Sequence, residues 1–254
     1  MRHSVKSRFV VGLAVCAASI CAVGVWARKA NHSISQLQVG NKTRLLLIDS
    51  IAELDSVKVG QKTARRFKVT VKNGYSQPVV AYALQQQDNA VGQGSTAAIE
   101  TNGAAIGWVL APNATDETNF STTAEGGVVL TVAAVLLKDG TGDGDTETLS
   151  RLKDVRAGVK IAYQQIIQSL RRASDATADP GSDVNIQALE DEISATADER
   201  NVHGNLRRGF HQAKDLILKD LREIKNGISS GRHLEPRSEI AKVKLRVENV
   251  LANF

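Results

Sequence analysis

The chain has two cysteines, Cys16 and Cys21, and both fall in its first apolar run. Once that run is removed no thiol remains, which excludes disulfides, thiol catalysis and cysteine-ligated zinc from the rest of the molecule. Histidine is sparse too: no HExxH or H-x-x-x-H pair exists, and His203 and His211 stand apart with Gly204 between them. Surface histidines are the expectation. Aromatic residues make up 4% of the chain, so Trp108 and Tyr82 read as core residues before they read as a stacking platform for sugars. A basic field is also missing. The net charge of +5 is carried by Arg2, Lys6, Arg8, Arg28 and Lys29, and from Ala30 onward acids and bases balance. Nothing in that balance steers the folded part toward nucleic acid.

What is present begins with an address. Arg2, Lys6 and Arg8 precede an apolar or small-residue run from Phe9 to Val25, and Ala27 precedes Arg28. Basic start, apolar middle and a small residue at the cut compose a secretory signal peptide over 1–27, followed by a linker over 28–40. The run is close to the roughly 18 residues of a spanning helix, so a retained anchor is the alternative; Val15 and Ile20, each before a cysteine, argue against lipidation. The small, alanine-rich signal points to a bacterial protein working outside the cytoplasm, periplasmic or secreted, with no membrane span after cleavage. Without disulfides, such a chain must hold its fold by core burial, and its length is ample for that.

Two periods divide the remainder, and the predicted class is α+β. Over 41–138 the pattern has period two: Phe67, Val69 and Val71 alternate with Lys68, Thr70 and Lys72, and Asn73-Gly74 separates them from Val79 to Leu84. This reads as a hairpin of antiparallel strands. With "TRLLLIDSI", "AAIET", "AAIGWVLA" and "VVLTVAAVLL" it predicts about seven short strands and a β-sandwich of immunoglobulin-like architecture. Over 148–254 the period changes to three and four. Leu149, Leu152, Val155, Val159, Ala162, Ile166 and Leu170 share one helix face; Ile186, Leu189 and Ile193 a second; Leu206, Phe210, Ala213, Ile217, Leu221 and Ile224 a third; Ile240, Val243, Val247, Val250 and Leu251 a fourth. Narrow apolar stripes on charged helices are unstable alone in water. They pack within the chain as hairpins or a bundle, or they offer a seam to a protein partner or a second copy.

Between the halves stands an acidic, glycine-rich junction, "DGTGDGDTE", at 139–147. Counted as an EF-hand-style loop, Asp139, Thr141, Asp143, Asp145 and Glu147 occupy alternate positions that can converge on Ca2+, with Gly144 at the sharp turn. Thr141 stands where an acid or amide is expected, and Ser150 where a bidentate Glu belongs. Without metal, the glycines supply turn conformations, Asp145 or Thr146 caps the next helix, and Glu147 complements its dipole.

Catalytic signatures are weak. "GISSG" around Ser229 has the letters of a nucleophile elbow but follows a helical pattern where a strand is required. "GQGSTA" from Gly92 lacks the lysine of a phosphate loop. Carboxylate pairs are numerous on the helices, as in "EDE" at Glu190 to Glu192, and read as solvated faces.

The stretches "VTVKNGYSQPVVAYAL", "GWVLAPN", "VLLKDGTGDGD" and "RAGVKIAYQQI", spanning Lys68 to Leu170, resemble a group of uncharacterised exported bacterial proteins with an Ig-like β-sandwich followed by helices. The resemblance implies that fold and location, and it transfers no catalytic or binding residue. The expected function is a non-catalytic binding or assembly protein with a helical interaction module. The alternatives are a carboxylate-dependent hydrolase of envelope or extracellular polymers and a calcium-stabilised adhesion-type module.

Overall fold

Phe67, Val69 and Val71 are buried while Lys68, Thr70 and Lys72 remain accessible, so the period-two pattern makes the strand it predicts. The structure is a computed structural model; it describes residues 37–60, 62–88, 96–101, 103–122, 128–175, 185–196 and 204–254. The export segment expected at 1–27, and residues 28–36 of the expected linker, lie outside the described residues. Among the described residues the architecture is α+β: two sheets from the N-terminal half, then four helices. The strands are β1 (Leu37–Asn41), β2 (Leu46–Val59), β3 (Lys62–Asn73), β4 (Val79–Asp88), β5 (Thr96–Thr101), β6 (Thr115–Thr122), β7 (Val128–Leu137) and β8 (Gly142–Gly144). The helices are α1 (Thr146–Asp175), α2 (Ile186–Ala195), α3 (Gly204–Ser229) and α4 (Pro236–Leu251). None of the described helices is long and apolar enough to cross a membrane.

One sheet runs β1-β7-β4-β5, with β8 also on β7, and the other runs β2-β3-β6. All pairings are antiparallel except β1 with β7. Residues 37–40, read as linker, therefore belong to a strand, because β7 presents an unpaired edge that an extended segment satisfies.

The hairpin expected at Asn73-Gly74 does not form. β3 pairs with β2 and β6, β4 with β7 and β5, and the chain between them crosses from one sheet to the other. Asn73 makes the crossing and is fully buried. Its amide donates to the carbonyls of Gln77 (3.0 Å), Leu110 (3.0 Å) and Ala111 (3.2 Å), and its carbonyl accepts from Tyr75 N (2.9 Å). A side chain that bonds one nearby and two distant carbonyls stabilises an open arch over a two-residue turn.

Apolar residues of both sheets share a core: Leu46, Phe67, Val69, Val71 and Phe120 meet Tyr82, Leu84, Leu130, Val132 and Val135. Phe67 and Phe120 stack at 4.9 Å between ring centroids, and Tyr82 donates its hydroxyl to Asp116 (2.8 Å). The opposite face of the β4–β7 pair is apolar too, with small residues: Val80, Ala81, Ala83, Ala134 and Leu136 pack on Leu152 and Leu149 of α1. Between Ala83 and Leu84 the register against β7 slips from Ala134 to Val132, leaving Ala133 unpaired as a bulge. That bulge changes which β7 residues face which side, so Leu130 and Val132 share a core with Val135 and Leu137 despite their opposite parity.

The four stripes predicted from the three-four period are buried against each other from Val159 onward, while Leu149 and Leu152 of the first pack on the sheet. α1 crosses α3 so closely that a Cβ on Gly158 would lie 1.9 Å from the Leu206 carbonyl oxygen, and one on Gly209 would lie 1.9 Å from that of Val155. Each helix thus needs glycine where the other's backbone passes. The segment "AAIGWVLA" is not a strand. Gly103–Ile106 forms a 3-10 turn and residues 107–111 run on as a strap, bonded to β4 only through Val79 and Leu110. The polar strand β6 carried too few apolar residues to be read from sequence; it is held by β3.

Overpacking a core by one methyl costs about 1–3 kcal/mol, and more against backbone. Gly158→Ala and Gly209→Ala are each expected to lose about 3 kcal/mol or more in urea unfolding. Gly231→Ala, which has open space around it and a φ of 77°, should lose about 1 kcal/mol from backbone strain alone.

Candidate functional site

At the junction between sheets and helices, β8 pairs with β7 over Gly142–Gly144 and draws the acidic loop into an extended edge. Successive side chains of an extended segment diverge. Asp139 Oδ1 accepts from Thr141 N (2.9 Å) and Thr141 Oγ1 (2.6 Å), and its Oδ2 accepts from Gln77 (2.8 Å). Asp143 Oδ2 accepts from Tyr75 Oη (2.5 Å), Arg44 N (2.6 Å) and Arg44 Nε (3.3 Å). Asp145 caps α1 by accepting from Thr148 N (2.9 Å), and Glu147 is exposed in the first turn. The structure therefore brings Asp139 and Thr141 together and gives Asp143, Asp145 and Glu147 separate surroundings. Among the described residues, no three His, Cys, Asp or Glu side chains gather as a metal-holding group.

Asp143 joins the β1–β2 connection, the β3–β4 arch and β8. Burial would raise its carboxyl, but the bonds from Tyr75 and Arg44 outweigh it and hold the group below its ordinary value; burial, helped by the carboxylate, pushes the Tyr75 phenol up.

The strap forms a second junction. Ala105 packs on the helical core and accepts a short hydrogen bond from the buried hydroxyl of Tyr163, whose pKa burial pushes up to about 12. Three residues on, Trp108 packs on the core shared by the sheets and tilts against Tyr82 at 5.9 Å. Between them Gly107 has a φ of 69°, and a Cβ there would lie 3.0 Å from a Val250 methyl of α4. Strap and α4 thus lie side by side.

A groove of about 340 Å³ runs between them, lined by Ile106, Gly107, Leu245, Asn249 and Val250, with Lys242, Arg246 and Asn253. Its rims are apolar and accessible: Ile106 is 58%, Leu245 57% and the neighbouring Val109 39% exposed. At one end it meets a crevice lined by Trp108, Val109, Arg156 and Phe254. Arg156 is half-buried there, donates to the Asn253 carbonyl (2.5 Å) and lies 4.1 Å from the Phe254 ring centroid. Desolvation pulls its pKa below the ordinary arginine value. At the other end Lys242 and Arg246 also border a cleft of about 320 Å³ lined by Asp220, Glu223, Arg232 and Glu239. Its acids are engaged: Asp220 by Arg246, Glu239 by Lys242 (2.6 Å) and Glu223 by Lys219 (3.9 Å).

Sequence reasoning missed the groove. Its signals were Leu245, an apolar residue off the α4 stripe, and Ile106, absorbed into a strand reading. Other motifs fall away from it. Ser229 is the last residue of α3, with no strand before it, so it is no nucleophile elbow. His211 and His233 are exposed; His32, His203 and the glycines of "GQGSTA" lie outside the described residues.

No family model matches the chain, and no curated protein does. Among solved structures, the X-ray structure of Northeast Structural Genomics Consortium target SoR45 is 13% identical with a TM-score of 0.26, covering 41% of this chain and 80% of its own. That similarity is too low to carry an argument, and none of these comparisons bears on the resemblance to exported proteins.

Asp143→Ala should cost about 2–3 kcal/mol, because it orphans the Tyr75 hydroxyl and removes bonds to a charged acceptor. Thermal unfolding should show the same loss in calcium and in chelator. Because the folded carboxyl is more acidic than the unfolded one, its contribution is present above the ordinary value of 3.8 and lost as pH falls through the lower folded value; the gap between wild type and variant should close only below that point. Tyr163→Phe leaves the Ala105 carbonyl unpaired and should cost about 1–2 kcal/mol, with faster amide exchange in the strap as the check.

Proposed function

We propose that the chain is an exported bacterial protein, periplasmic or secreted, that binds or assembles with a protein partner and performs no catalysis. In this reading the two sheets form a β-sandwich of immunoglobulin-like architecture, and the helices brace a binding groove at its side. The observation that carries it is the accessible apolar rim of Ile106 and Leu245 around a concave groove, with exposed Val109 beside it. Exposed apolar side chains gathered around a concavity mark interaction sites, whereas scattered ones do not. The four helical stripes do not compete for this role, since they are spent on one another and on the sheet; the interaction module is the outer flank of α4 with the strap. The engaged acids of the neighbouring cleft also favour binding over hydrolysis, which needs a carboxylate pair with separated roles.

The test uses the full chain with a photo-crosslinking amino acid at Leu245, expressed in bacteria. The expected result is periplasmic or secreted material with an N-terminus near Arg28 and a discrete adduct with one polypeptide. The same probe at exposed Lys58 of β2 should give none. Cytoplasmic retention of the intact chain, or equal non-specific adducts from both positions, would overturn the reading.

A further inference from the structure

We draw no further inference here: the strongest candidate, the exposed apolar patch of Val39, Leu45 and Leu47 on the end strands β1 and β2 and the turn between them, is an unpartnered face, and nothing among the described residues shows what covers it.

Discussion

The β4–β7 pair is apolar on both faces, and the rest of the structure follows from the need to cover each of them. Tyr82, Leu84, Leu130 and Val132 require one apolar layer, which the β2-β3-β6 sheet supplies through Phe67, Val69 and Val71. Val80, Ala81, Ala83 and Ala134 require another, and their small side chains let α1 settle directly on the strands through Leu149 and Leu152. Fully burying a large aliphatic or aromatic side chain contributes about 1.5–3 kcal/mol, so neither face can be left open without a loss comparable to the whole stability of a domain. The helices are therefore part of the sheet's packing. They are not an appendage that folds elsewhere.

Once α1 is seated, the remaining helices have few choices. The same face of α1 continues from Val159 to Leu170, where it is covered by α2, α3 and α4. The glycines at 158 and 209 set the depth of the α1–α3 crossing. The strap is then caught between two cores, with Ala105 held by Tyr163 and Trp108 held by Tyr82. A segment anchored in this way leaves Ile106, between the anchors, and Val109, just after them, turned to solvent beside α4. The groove is thus a by-product of how the sheets and the helices are joined, and its rigidity comes from those two anchors.

The polar residues repeat this logic on a smaller scale. Asn73 and Asp143 are each short side chains that gather donors or acceptors from segments far apart in sequence, Asn73 at the arch and Asp143 where β8 meets it. Each ties together backbone or phenolic groups from separate segments. Both read locally as turn residues, the first as half of a hairpin dipeptide and the second as one acid of a loop, because the groups they satisfy are invisible at short range.

By itself, the sequence determined those properties that are set locally: the strand from Phe67 to Val71, the nearly continuous apolar strand from Val128, the four helix stripes, a cap at Asp145 or Thr146 and the change from strands to helices near Thr146. Period and capping are short-range effects, set by the geometry of one segment. Strand partners, the crossing at Asn73, the conversion of "AAIGWVLA" into a strap, the inclusion of the polar strand β6 and the groove beside α4 were decided by the tertiary structure. Each depends on which distant surface needs to be covered. Leu245 shows the boundary between the two: sequence places it off the buried stripe of α4, and only the packing of the strap beside that helix turns it into one wall of a groove.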